Sequence, residues 1–142
     1  MLHDRDAWLA TRDDLTEGVY TLPLSFLADS SGIWFATKPH RRIATNVTAN
    51  RRVQVILGGH LDAIIIDGTC DEPTAQPPTD IHDRYEAKAG FAPSPDDGYV
   101  LIRLDPQRLR VSRSPAEFAD RDIWTTETQP WATLLHAPPT ST

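Results

Sequence analysis

Residues Ala63 to Gly68, AIIIDG, form a nearly continuous apolar run. A strand of this composition is expected to be buried on both faces. Gly68 inside it points to a bulge or a close approach of another backbone. The neighbouring segments fall into place around it. Val53–Leu57 reads as a strand, Gly58-Gly59 as a tight turn and Ala63–Thr69 as the next strand. Upstream, Trp8–Thr11 is a short apolar start and Arg12 to Gly18 a polar turn. Val19–Leu27 alternates, with Tyr20, Leu22, Leu24 and Phe26 on one parity. Pro23 cannot donate to a ladder, so this strand has an unpaired or bulged position there. Asp29-Ser30-Ser31-Gly32 is a hairpin turn and Ile33–Thr37 the returning strand. His40–Asn50 fits a short helix with Ile43 and Val47 on one face. Ile81–Lys88 is a second helix, ended at Ala89-Gly90. Tyr99–Leu104 and Leu109–Arg113 read as two strands separated by Asp105-Pro106, a helical piece is expected around Ala116–Ala119, and Ile123–Trp131 as a last strand. The fold class is therefore mainly β: six to seven antiparallel strands in a Greek-key-like barrel with short helical insertions.

At 142 residues the chain is read as one domain, residues 1–134, with a flexible C-terminal tail over 135–142. It carries 20 Asp and Glu against 14 Lys and Arg, net −6. That balance argues against nucleic acid or an anionic membrane as partner, since both need a broad positive face. No apolar run approaches the ~20 residues that span a bilayer. The single cysteine, Cys70, cannot form an internal disulfide and fits a reducing cytoplasm.

Against this acidic background, Ser30 to Leu61 contains no acidic residue, yet holds Lys38, His40, Arg41, Arg42, Arg51 and Arg52. A phosphate-bearing ligand is a candidate explanation of such a window. Its dianion needs several donors and no carboxylate nearby, and a helix N-terminus adds backbone N–H groups. That dipole contributes only ~0.3–1 kcal/mol when exposed, so guanidinium groups must carry most of the affinity. Arg41 and Arg42 are adjacent and cannot share one helix face. One is expected to reach the phosphate, assisted by Thr37, and the other to face solvent or a partner subunit. The bland alternative is a solvated basic face. Arg51 and Arg52, ahead of a strand, read as edge charges.

The order of motifs resembles the pyridoxamine 5′-phosphate oxidase-like, flavin-binding split-barrel family. The resemblance rests on Pro23-Leu24-Ser25-Phe26, Ala36-Thr37, Arg41-Arg42 with Asn46, Ile66-Asp67-Gly68-Thr69, the helix DRYEAKAGF and the closing segment IRLDPQRLRVSRSPAEFADR, and spans roughly Trp8 to Trp131. It implies a homodimer with FMN at the subunit interface. Leu22, Pro23, Leu24 and Ser25 would pass beside the flavin ring. Ala36, Thr37, Arg41, Arg42 and Asn46 would surround the phosphate, and Trp131, with Trp124, would cover the cofactor from the neighbouring subunit. Three departures stand out: Thr16-Glu17-Gly18-Val19-Tyr20 replaces the usual Asp-Gly-Arg-Pro-His, the N-terminal helix is nearly absent, and Ser112 stands where a Trp is common.

The expected function is a flavin-type oxidoreductase that binds FMN, or the deazaflavin coenzyme F-420, and transfers hydride to or from a small substrate. The alternative is a non-catalytic flavin or haem carrier with the same fold. Vitamin B6 oxidase activity is not expected, because the C-terminal Arg-x-His pair is missing. Haem is disfavoured, with His60 its one candidate ligand. No metal site is expected: the five histidines lack zinc spacing, and Asp80-Ile81-His82-Asp83 reads as a helix start. Cys70, beside Asp71 and Glu72, should have a raised thiol pKa and no nucleophilic role.

Overall fold

The computed structural model describes residues 7–59, 62–90, 93–112, 121–125 and 130–132. β1 (Ala7–Asp13) alternates Ala7, Leu9, Thr11 and Asp13 inward with Trp8, Ala10 and Arg12 outward. It turns through residues 14–17 into β2 (Gly18–Leu24). The turn is shorter than expected because Arg12 and Asp13 still pair with Val19 and Gly18. β3 (Leu27–Asp29) and β4 (Gly32–Thr37) form the expected hairpin. α1 (Arg42–Ala49) leads to β5 (Arg52–Gly59) and β6 (Asp62–Cys70). α2 (Thr79–Ala89) precedes β7 (Val100–Ser112) and β8 (Arg121–Thr125). Residues 116–119 and 135–142 lie outside the described residues.

The strands form one antiparallel sheet in the order β2-β1-β5-β6-β7-β4-β3, with β8 on β7. β2 and β3 are neighbours in the chain, separated only by Ser25 and Phe26, yet they occupy opposite edges of that sheet. The sheet therefore curls into a half-barrel whose two edges are joined by covalent chain instead of a ladder. This is also why the expected single strand Val19–Leu27 is two strands: at Ser25 the chain leaves β1 and goes to pair with β4. Pro23 sits on the edge strand β2 opposite Trp8, where a missing donor is tolerated.

The barrel core is built from Leu9, Val55, Leu57, Ile64, Ile66, Ile102, Leu104 and Leu109, and α1 adds Ile43 and Val47 to it. α2 packs outside, where Ile81 and Tyr85 meet Leu27, Trp34 and Leu101. The run Ala63–Ile66 is only half covered. Ile64 and Ile66 are buried, whereas Ala63 and Ile65 face outward and are only partly covered by the described residues.

Asp105-Pro106 does not separate two strands. β7 runs unbroken for 13 residues. Along it Asp67 faces Arg108 and Gly68 faces Pro106, so Gln107 is the extra residue of a bulge. The missing proline N–H falls at that irregularity. A Cβ on Gly68 would lie 2.5 Å from the Asp105 carbonyl oxygen, which is the close backbone approach a glycine permits. The last expected strand, Ile123–Trp131, overlaps β8 (Arg121–Thr125) at its start, and residues 126–129 lie outside the described residues. β8 ends at Thr125, and Trp131 begins a helical turn that seats its ring in the core.

Candidate functional site

A cavity of about 390 Å³ opens where the half-barrel fails to close, between β2 and the C-terminal end of β4. Tyr20, Leu22 and Leu24 from β2 form one wall, and Ser25, Ala36 and Thr37 the base. Lys38, Arg41, Arg42 and Ile43 form the basic end, and Tyr85 and Tyr99 complete the lining. Alternation in β2 explains the first wall: a residue every second position faces the gap.

The basic end is organised by the entry to α1. Arg41 is the N-cap residue, with extended backbone (φ −73°, ψ 152°), and its N–H donates to the Lys38 carbonyl at 3.0 Å. No side chain caps this helix and no acidic residue occupies its first turn. Its leading N–H groups thus keep their favourable field for an anion.

The three cations differ. Arg42 Nε lies 3.5 Å from Asp13 Oδ2, and its guanidinium lies 5.3 Å from the Tyr20 ring centre. Asp13 is buried, and its Oδ1 accepts the Leu15 N–H at 3.1 Å. Lys38 Nζ lies 5.1 Å from the centre of the Tyr99 ring. Neither Lys38 nor Arg41 has an ion pair among the described residues. Of the two edge charges, Arg51 pairs with Glu72 at 3.5 Å, and Arg52 is exposed away from this cavity.

Tyr85 spans the split. Its hydroxyl donates to the Ser25 carbonyl at 3.0 Å and accepts the Ala36 N–H at 3.2 Å. The phenol thus stands in for the ladder that β2 and β4 do not form. Burial pushes its pKa up to about 12, so it stays protonated at neutral pH.

Seven of the ten expected residues line the cavity: Leu22, Leu24, Ser25, Ala36, Thr37, Arg41 and Arg42. Three do not. Pro23 has the opposite parity and is exposed on the far face beside Trp8. Asn46 is buried behind the wall, where its Nδ2 donates to Thr11 Oγ1 at 3.0 Å. Trp131 lies in the chain's own core, with Nε1 donating to the Asp29 carbonyl at 2.9 Å, and is not in the lining of its own chain's cavity, while the side chain of Trp124 lies outside the described residues. Tyr20, Lys38, Ile43, Tyr85 and Tyr99 also line the cavity and were not among the residues expected to contact the cofactor. Tyr20 shares the parity of Leu22, and Lys38 lies in the acid-free window, so both carried a signal. Tyr85 and Tyr99 arrive from distant elements and carried none.

Elsewhere, burial first and Asp71 second push the Cys70 thiol up to about 12. Among the described residues no group of three or more His, Cys, Asp or Glu is placed to hold a metal. No described helix is long and apolar enough to cross a membrane. His60 lies outside the described residues.

Residues 4–113 match the family described as pyridoxamine 5′-phosphate oxidase. The chain belongs to that family. Among solved structures this family member resembles an F420 reductase at 15% identity, with 74% of this chain and 88% of the other covered and a TM-score of 0.61. General Stress Protein 26 from Bacillus anthracis matches at 19% identity, covering 75% and 83%, with a TM-score of 0.61. A haem-binding protein from Mycobacterium smegmatis matches at 10% identity, covering 87% and 53%, again with a TM-score of 0.61. At these identities the likeness establishes a shared fold. No curated protein sequence matches this oxidase-family chain significantly.

Proposed function

We propose that this protein is a flavin-type oxidoreductase that holds FMN, or the deazaflavin coenzyme F-420, in the cavity at the split. The observation that carries the reading is the polarity of the lining. Lys38, Arg41 and the uncapped start of α1 stand at one end, and Tyr20, Leu22, Leu24 and Tyr99 along the sides. A planar ring system bearing a phosphate matches that division. The cavity volume, about 390 Å³, falls within the roughly 300–1,000 Å³ of small-molecule sites. Arg41 and Lys38 would hold the phosphate with Thr37, while Leu22, Leu24 and Ser25 flank the ring.

When bound, the cofactor supplies hydride transfer. The chain's own part is to bind, orient and exclude water. Among the described residues the lining offers no carboxylate, imidazole or thiol. The Tyr85 hydroxyl is engaged as both donor and acceptor and titrates only at about 12. A proton needed by a substrate therefore comes from solvent. The same observation supports a second reading, a non-catalytic flavin carrier. Haem is less well matched, since among the described residues the lining offers tyrosine hydroxyls but no His, Met or Cys side chain. A homodimer is part of the proposal. Pro23, Trp8, Ile56 and Ile65 form a cross-strand row on the outer face, with Trp8 43% exposed, and a second copy would cover it. The buried thiol suits a cytoplasmic setting.

The test is reconstitution of the purified protein separately with FMN, F-420 and haem, followed by absorption spectroscopy and assay with reduced nicotinamides. FMN or F-420 binding that is lost in Arg41→Ala supports the proposal. Binding that is unchanged in Arg41→Ala refutes the phosphate assignment. Tight flavin binding without turnover of any reductant selects the carrier.

A further inference from the structure

Arg42 lines the cavity, but the surrounding charges single it out from Arg41 and Lys38. Its Nε faces Asp13 Oδ2 at 3.5 Å, and its guanidinium lies against the Tyr20 ring. The Asp13 side chain is only 2% exposed. Its other oxygen is committed to the Leu15 N–H at 3.1 Å. A carboxylate this buried is costly without its counter-charge, so Arg42 cannot leave it for a ligand without stranding it. The neighbouring pair points the same way: Asn46, four residues after Arg42 on the same helix face, is fixed to Thr11, two residues before Asp13 on β1. Arg42 belongs to the seam that docks α1 on β1.

We infer that Asp13 is a specificity-determining residue of the cavity: it neutralises Arg42, so that Lys38 and Arg41 alone face the ligand's anionic group. Two uncompensated cations match a phosphomonoester, which carries close to two negative charges near neutral pH. The inference rests on the proposed phosphate site and assigns its charge balance. It explains how an acid-free stretch of sequence still acquires one carboxylate in space, supplied by β1 from outside that stretch.

The test is a double-mutant cycle in the full chain, read by FMN titration, with riboflavin as the phosphate-free probe. Asp13→Asn keeps an oxygen for the Leu15 N–H but frees the positive charge of Arg42. It should tighten FMN binding about fivefold, the size of one partly screened charge interaction, and steepen its salt dependence. Riboflavin binding should not change. Asp13→Asn plus Arg42→Gln replaces one neutral pair by another and should bind FMN within about twofold of the wild type. FMN binding in Asp13→Asn that is unchanged or weaker would overturn the inference. So would a double variant about tenfold weaker than wild type, because Arg42 would then grip the phosphate itself. If Asp13→Asn does not fold, the charge-balanced double variant decides alone. Arg41→Gln separates this inference from its parent: unchanged FMN affinity there removes the phosphate site, whatever the cycle gives.

Discussion

Asn46 Nδ2 donates to Thr11 Oγ1 at 3.0 Å, and both side chains are buried. The same Thr11 hydroxyl donates onward to the Tyr20 carbonyl at 3.3 Å. A helix residue is thereby linked through one strand to the next, and the start of α1 is held against the wall of the cavity. Thr11→Val keeps the shape and removes both bonds. It leaves the buried Asn46 amide without this acceptor, which costs about 1–3 kcal/mol. Urea denaturation should show that loss in the midpoint with an unchanged slope. Cofactor affinity should fall as well, because Arg41 and Lys38 are placed by the helix that has lost its seat.

Arg41 is exposed, has no ion pair among the described residues and caps no other group with its side chain. Arg41→Ala should therefore leave the thermal midpoint unchanged. Each charge-assisted hydrogen bond to a phosphate contributes about 1.5–3 kcal/mol, so FMN affinity should drop roughly 10- to 100-fold. Parallel titrations with FMN and riboflavin check this, since only the phosphorylated ligand should respond.

Gly68 is the fixed point of the β6–β7 crossing. A Cβ there would meet the Asp105 carbonyl oxygen at 2.5 Å and Leu104 Cδ2 at 2.7 Å. The leucine can move, but the backbone oxygen cannot without disturbing the bulge at Gln107. Gly68→Ala should destabilise the fold by about 1–3 kcal/mol, the usual penalty of overpacking. Gly90→Ala is a useful contrast. Nothing lies within 4 Å of its added Cβ, and only its left-handed φ of 83° is strained.

The parts of this fold legible in sequence are those set by local chemistry. The hairpin at Asp29–Gly32 follows from its turn residues, and the end of α2 at Gly90 follows from a left-handed C-cap. Gly68 announced its close approach. The cavity wall was legible from alternation in β2, and the basic end from the missing carboxylates. What stayed hidden depends on pairing across the chain. The outward face of Ile65 looked like core because burial of the second face depends on whether another layer exists, not on the strand itself. Asn46 looked like a ligand residue because nothing local reveals that Thr11, 35 residues earlier, awaits its amide. Tyr85 reaches the split from a helix whose own pattern says only that Ile81 and Tyr85 share a buried face.

Cys70 gives a reporter of folding. Burial, and then Asp71, raise its thiol to about 12, so almost no thiolate is present at pH 8 in the native state. A thiol reagent at that pH should be consumed only on the timescale of unfolding. The logarithm of the labelling rate should rise in Gly68→Ala and Thr11→Val with their lost stability, about tenfold in rate for each 1.4 kcal/mol that acts on opening, and should not move in Arg41→Ala.

Asp29 ties the stability of the fold to acid pH. Its carboxylate sits at the β3–β4 turn, where Oδ1 accepts the Ser31 N–H at 2.8 Å and Oδ2 accepts Arg84 Nη1 at 2.8 Å. Burial alone would raise its pKa, but the Ser31 side chain and backbone bonds, with Arg84, outweigh burial and hold the carboxyl below its ordinary value. Above the ordinary aspartate value of about 4 the group is ionised whether the chain is folded or not. As pH falls below that value the unfolded chain takes up a proton while the folded chain does not, so the contribution to stability shrinks. It is gone once pH passes below the depressed native pKa. Asp29→Asn should therefore be less stable than the parent at pH 7, because Arg84 loses its buried partner. Its stability should also decline less steeply as pH falls below about 4. Denaturant midpoints measured across that range check both. A mutant curve parallel to the parent's would mean that other carboxylates govern the acid transition.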